Sequence, residues 1–338
     1  MSVWEKVASA AGAGGATGSY VAVAHNATPY LTLLDHTTPG TLTLAATYTA
    51  SSAAGFTPPC FSPDGNYIAA GGVTLLDHTT PGSLSLATTY SSGVNRFDFT
   101  LDGNYLAFSS LPGTAYSITL LNRTTPGSLA FAAGYATPIV SGSPRATGVS
   151  FSPDGNYLAC SHSGAPYFTL LDHTTPGSLS LEATYTLAGS GGNSVDFSPD
   201  GNYIICTHYG GGGLTLLDHT TPGSVSLATT YNAGGNGVAA TFNGTGDYIA
   251  ASNGSSTIFL LDSSTPGSLS FAASYAAGGS FYSLDFSLDG KYIVLGLSAV
   301  KVTLLDHTTP GSLSLAATYT VAGSIFSNNA YGVAFSPN

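Results

Sequence analysis

Short apolar runs alternate with turn-forming residues along the chain, and the pattern is clearest between residues 148 and 184. Val149 and Phe151 stand two apart, as on one face of a strand. Ser152-Pro153-Asp154-Gly155-Asn156 then predicts a tight turn, because proline presets its own φ and glycine accepts a positive one. Tyr157-Leu158-Ala159-Cys160 predicts a second strand and Tyr167-Phe168-Thr169-Leu170-Leu171 a third. The turn from Asp172 to Gly177 leads into Ser178-Leu179-Ser180-Leu181-Glu182-Ala183-Thr184. Its leucines alternate with small polar residues, as expected of a half-buried outer strand. The four strands are called a, b, c and d.

The unit recurs. Leu33-Leu34-Asp35-His36-Thr37-Thr38-Pro39-Gly40 has counterparts beginning at Leu75, Leu120, Leu170, Leu216, Leu260 and Leu304. Their third residues are Asp35, Asp77, Asn122, Asp172, Asp218, Asp262 and Asp306, in steps of 42, 45, 50, 46, 44 and 44 residues. A period in the forties, built of short strands, is the signature of propeller blades. The a–b turn recurs too, at Ser62-Pro63-Asp64-Gly65, Thr100-Leu101-Asp102-Gly103, Ser198-Pro199-Asp200-Gly201 and Ser287-Leu288-Asp289-Gly290. Asn243-Gly244-Thr245-Gly246 is a degenerate copy. Because strands alternate in direction, the a–b and c–d turns share one face and the b–c and d–a loops the other.

The termini fit together. The repeats open at strand b, with Gly18-Ser19-Tyr20-Val21-Ala22-Val23-Ala24, and end at strand a, with Tyr331-Gly332-Val333-Ala334-Phe335. The C-terminus should therefore supply the missing strand of the first blade and close the ring, which pairs edges otherwise exposed. The expected fold is all-β: a seven-bladed β-propeller of four-stranded antiparallel blades, closed by one composite blade. Residues 1–17 form a non-repetitive leader and 18–338 the propeller, with the other blades near 56–90, 95–134, 147–184, 193–230, 237–274 and 281–319.

The Phe-Ser-Pro-Asp-Gly-Asn-Tyr-Ile-Ala segment at 61–69 resembles the first two strands of WD40-type repeats, and the Leu-Leu-Asp segment their third strand. The resemblance covers about residues 18 to 338 and implies a divergent, WD40-like propeller. Leu34, Leu76, Leu121, Leu171, Leu217, Leu261 and Leu305 stand where that family has its characteristic tryptophan, and the Gly-His pair before strand a is absent. Near-identical copies in a chain so poor in charge also resemble, more loosely, bacteriophage structural proteins.

Charge narrows the function classes. Only 7% of the 338 residues are charged, against about 25% in an average soluble domain. The six cations are Lys6, Arg96, Arg123, Arg145, Lys291 and Lys301, and the formal net charge is -11. Scattered cations cannot form the basic stripe that nucleic acid requires, and the acidic balance opposes an anionic membrane. No run reaches the length of a membrane-spanning helix, and the first residues lack the basic and apolar regions of a signal peptide. A surface of Ser, Thr, Asn and Gly instead suits a virion or an extracellular particle, reached from the cytoplasm by lysis or assembly.

Candidate chemistry is sparse. His36, His78, His173, His219 and His307 each follow the turn aspartate, but repetition around a ring keeps equivalent residues about 10 Å apart, too far for one metal. The aspartate is expected instead to accept from amides of its own turn. Cys160 with His162 and Cys206 with His208 raise a Cys2His2 site across adjacent blades, which the same geometry opposes. Cys60, Cys160 and Cys206 are expected to be buried thiols. No nucleophile elbow is present. No catalytic, cofactor-binding or metal-ligating residue is therefore assigned, and no cofactor. The irregular loops are the candidate partner surface: Trp4 in the leader, with His25, Tyr30, Tyr116, Arg145, Tyr167, Tyr209, Phe281, Tyr282 and Phe326.

These observations predict a non-enzymatic structural or recognition protein, a phage virion component such as a fibre, tail or capsid decoration, with a protein partner in a larger assembly. The alternatives are an extracellular carbohydrate-binding propeller, with a glycan as ligand, and an intracellular WD40-like scaffold. A propeller enzyme, such as a lactonase or a quinone-dependent dehydrogenase, would gather charged residues around the central channel. Here they are expected mostly in the outer turns.

Overall fold

The computed structural model describes residues 20–337, apart from 26–27, 50–56, 111–114, 138–144, 211–212, 299–300 and 322–329. The leader, with Trp4, and the loop containing Phe326 lie outside the described residues.

Seven four-stranded antiparallel sheets make the seven-bladed propeller that the repeats predict. Blade 1 is the composite one: the last strand, Ala330–Phe335, pairs with the first, Tyr20–His25, in the order a-b-c-d. Blades 2 to 7 follow in sequence. Their innermost strands are Cys60–Phe61, Val94–Phe99, Ala146–Phe151, Gly192–Phe197, Ala240–Phe242 and Phe281–Phe286. Among the described residues no helix is long and apolar enough to cross a membrane.

Each blade is too thin to bury its own faces, so the cores lie between blades. In one of them Val21, Leu34, Val294, Leu304 and Phe335 pack together across the seam of blades 1 and 7. Seven such clusters circle the ring. The turn face is cemented by a repeated contact. The Tyr that opens strand b packs edge-on against the His of the next blade's c–d turn, as Tyr157 does against His219 at 5.1 Å and Tyr248 against His307 at 4.8 Å. In blades 2, 4, 5 and 7 the His Nδ1 also hydrogen-bonds a carbonyl of its own a–b turn, 2.7 Å for His173 to Gly155 and 2.9 Å for His219 to Gly201, whereas His36 of blade 1 meets the Thr41 carbonyl at 2.7 Å. Blade 3 substitutes Arg123, which donates to the Gly103 carbonyl at 2.8 Å and lies 4.9 Å over the Tyr67 ring. The turn aspartates accept as expected: the Thr174 amide reaches Asp172 at 2.6 Å, and Asn122 does the same for Thr124 at 2.9 Å.

The outer strand differs from its sequence pattern. In every blade the pairing of strands c and d shifts register between the two leucines of c, as between Leu170 and Leu171. The bulge inserts one residue and resets the alternation of faces. Ala183 and Tyr185 pack inward while Leu181, on the other side of the bulged Glu182, is half exposed, and Leu44, Leu86, Phe131, Leu227, Phe271 and Leu315 are exposed in the same way.

Candidate functional site

Strand a is the innermost of each blade, so its residues alternate between the interblade cores and the central channel. Phe97 and Phe99 face the core of blades 2 and 3. Arg96 and Asp98, their neighbours in alternation, line the channel. The channel widens into a cavity of about 370 Å3 bounded by strand a and the a–b turns of all seven blades.

One level of this cavity, the residue before the last Phe of each strand a, is chemically uneven. From blade 1 to blade 7 it reads Ala334, Cys60, Asp98, Ser150, Asp196, Thr241 and Asp285. Carboxyls thus alternate with hydroxyls over blades 3 to 7. Each acid is fixed by the next blade or its own strand. Asp98 accepts the Phe151 amide at 2.6 Å and that of Phe99 at 2.9 Å. Asp196 accepts the Phe242 amide at 2.9 Å and the Thr241 hydroxyl at 2.8 Å, with the Ser150 hydroxyl farther off at 3.4 Å. Asp285 accepts the Phe335 amide at 2.8 Å and so holds the strand that closes the ring.

The three acids lie deep in the ring yet still face the open channel. Burial pushes Asp98 and Asp285 up to about 7, with the Asp196 carboxylate adding to the effect. Burial raises Asp196 less, to about 6, because two amides and two hydroxyls stabilise its charged form. Near neutral pH the ring therefore holds an ionised carboxylate beside acids that can still carry a proton. Cys60 shares the level. Burial first, then the Asp98 and Asp285 carboxyls, hold its thiol well above its ordinary value, so it remains a neutral thiol. The expectation of three buried structural cysteines holds for Cys160 and Cys206 only, since Cys60 lines the cavity.

Arg96 lies one alternation farther from the turn face than Asp98. At its level the other blades carry Gly332, Pro58, Gly148, Ser194, Ala239 and Ser283, all small or compact. Among the described residues no carboxylate lies within 4.0 Å of its guanidinium. Burial lowers its proton affinity to about 10, with the Tyr209 side chain opposing the shift, so the charge persists at neutral pH.

None of the described loop residues singled out from sequence lines this cavity. His25 is buried, its Nε2 2.9 Å from the Thr32 hydroxyl, and burial drops its pKa to about 4. His162 and His208 meet Thr169 and Thr215 in the same way, at 3.0 and 3.1 Å. Phe281 belongs to an interblade core. Tyr116 and Tyr209 are exposed, and Tyr116 stacks on Phe131 with centroids 5.8 Å apart. Tyr30 and Tyr167 are half-buried with positive φ, Tyr282 is half-buried, and Arg145 is exposed, 3.4 Å from the Asn95 side chain. They are spread over the face opposite the cavity mouth. Among the described residues no group of three His, Cys, Asp or Glu could hold a metal ion.

Most charged residues do sit at the turns, as Asp35, Asp77, Asp64 and Asp102 do, but Arg96, Asp98, Asp196 and Asp285 depart from that expectation and line the channel. The signal was present in strand a, where a charged residue alternates with Phe in Arg96-Phe97-Asp98-Phe99, Asp196-Phe197 and Asp285-Phe286.

No curated protein matches the chain in sequence. The family model described as "WD domain, G-beta repeat" matches residues 137–165 alone. Solved structures match throughout. A "putative 6-phosphogluconolactonase" from Bacteroides uniformis is 16% identical, with a TM-score of 0.80 over 94% of this chain and 99% of that one. A second, from Bacteroides fragilis, has 16% identity and a TM-score of 0.77 over 94% and 98%. The periplasmic gluconolactonase of Pseudomonas aeruginosa has 16% identity and 0.76 over 94% and 99%. At this identity the likeness fixes the fold. It also corrects the earlier expectations. The whole-chain likeness lies with structures described as lactonases, not with WD40 repeats over 18–338. The non-enzymatic virion protein, its assembly partner and its virion localisation find no counterpart among them.

Proposed function

We propose that the protein is an enzyme that hydrolyses cyclic esters in its central channel. The observation that carries this reading is the ring of Asp98, Asp196 and Asp285 with Arg96 in one cavity. The lactonase descriptions of the similar structures support it.

The roles follow from the environments. Asp196 has the lowest proton affinity of the three acids and is the general base. It removes a proton from water as the water oxygen bonds to the lactone carbonyl carbon. Arg96, one level deeper in the same cavity, is the positive group whose field favours the oxyanion so formed. As the tetrahedral species collapses, the ring C–O bond breaks, and Asp98 or Asp285 gives its proton to the departing alkoxide. The product is a hydroxy acid. Transfer of a proton from Asp196 back to the donor, directly or through water, restores the starting state. Thr241 is a positioning residue: its hydroxyl orients Asp196 and stabilises its charge.

The test is turnover of glucono-δ-lactone and simple δ-lactones, followed by acid release against the spontaneous rate. Asp196→Asn should lower kcat by about 100-fold or more, the usual worth of a general base. Thr241→Val should move the lower pKa of the kcat/KM profile upward. Absence of hydrolysis above background for every lactone would overturn the proposal. Binding of a sugar without turnover would favour a carbohydrate-binding propeller.

A further inference from the structure

The cavity is layered from the turn face inward, and the outermost layer is apolar. The second residue of each a–b turn borders it: Pro63, Leu101, Pro153, Pro199, Leu288 and Pro337 in six blades, Gly244 in blade 6. All seven are half-buried. Proline has a local reason to stand there, since it presets the turn. Leucine has none. That position of the turn accepts most residues, and its neighbours Thr100 and Ser287 already cap the turn through Asp102 and Asp289. Leu101 and Leu288 nonetheless hold apolar side chains at the mouth, in the same blades as Asp98 and Asp285.

Charge points the same way. A ligand entering from the turn face passes the collar, then the level of three carboxyls, and only then reaches Arg96. A phosphate monoester carries about -1.5 to -2 charge at neutral pH and meets acidic groups first. An uncharged ring bearing an aliphatic substituent meets a complementary surface at both levels.

We propose that the channel selects uncharged lactones with an aliphatic substituent. The ring lies at the carboxyl level and the substituent against Leu101 and Leu288. Gly244, which lacks a side chain, leaves a notch in the collar on the blade that carries Thr241. This selection rests on the lactonase reading and narrows it to a substrate class distinct from phosphorylated sugar lactones.

The experiment compares kcat/KM for δ-valerolactone, its 5-ethyl and 5-pentyl derivatives, glucono-δ-lactone and its 6-phosphate. The expected result is a rise of about threefold per added methylene over the first few, as for partial burial of a CH2 group, with the phosphate poorest. Leu101→Ser with Leu288→Ser should bring the ratio of pentyl to unsubstituted substrate down towards one. Gly244→Leu, which extends the collar across blade 6, should raise it; its backbone is not in the positive-φ region. A flat series, or preference for the phosphate, with turnover still dependent on Asp196, would overturn the selection and leave the lactonase reading standing. If no lactone is hydrolysed, calorimetric titration with the pentyl lactone decides: binding lost in the double serine variant supports the collar, and no binding overturns it.

Discussion

Asp285 links the chemistry of the channel to the closure of the ring. Its carboxylate accepts the Phe335 amide of the C-terminal strand at 2.8 Å, and burial raises its pKa from 3.8 to about 7. The folded protein therefore binds this proton more tightly than the unfolded chain does. The associated stability is fully present below pH 4 and is lost as the pH rises through 7. A shift of about 3 units corresponds to about 4 kcal/mol at most, and the carboxyl's contact with the channel reduces this to about 2–4 kcal/mol. Asp285→Asn retains an oxygen to accept the Phe335 amide and removes the ionisation. Relative to the parent it should gain that amount between pH 4.5 and 8, read as a difference in urea midpoints. Other titrating groups are common to both proteins and cancel to first order. Asp285→Ala removes the acceptor as well and should lose about 1–3 kcal/mol near pH 4.5. A difference between Asn variant and parent that does not change with pH would refute this account of the buried acid.

Two further substitutions test the seams. Arg123→His restores the residue found at this position in five other blades and should change stability by less than about 1 kcal/mol in thermal melts, whereas Arg123→Ala strips the Gly103 carbonyl and the Tyr67 face of their partner and should cost about 2 kcal/mol. Gly332→Ala drives a methyl into the backbone of Pro58 across the seam of blades 1 and 2 and should cost about 2 kcal/mol or more, while Gly134→Ala meets only the exposed side chain of Tyr116, which can turn toward solvent, and should cost less than half of that in the same melts.

Architecture and site were not equally legible in the sequence. The blades could be counted because their instructions are local: proline and glycine in the turns, an Asx acceptor at Asp35 and its copies, apolar alternation in strands b and c. The composite blade followed from the order in which the repeats begin and end. The outer strands misled because the bulge that turns Leu181 outward is a property of pairing, with no residue type that marks it. The site was missed for a different reason. Variable loops drew attention because they break the repeat, and strand a was read for its Val and Phe, the residues that recur.

A ring converts small departures in a repeated position into a constellation. Cα atoms at equivalent points stay one blade apart, which is why the five turn histidines on the outer part of the wheel never meet. Strand a is the exception, because only there do equivalent side chains point toward a common axis. The residue before the last Phe is therefore where variation among copies has chemical consequence: Asp in blades 3, 5 and 7, hydroxyl in blades 4 and 6, and neither in blades 1 and 2. The acids of blades 3 and 7 each feel that of blade 5, which itself draws two hydroxyls. A strictly sevenfold ring of acids would repel itself, and one of hydroxyls would have no base. The break in symmetry separates the proton affinities, and that separation is what general acid–base chemistry requires.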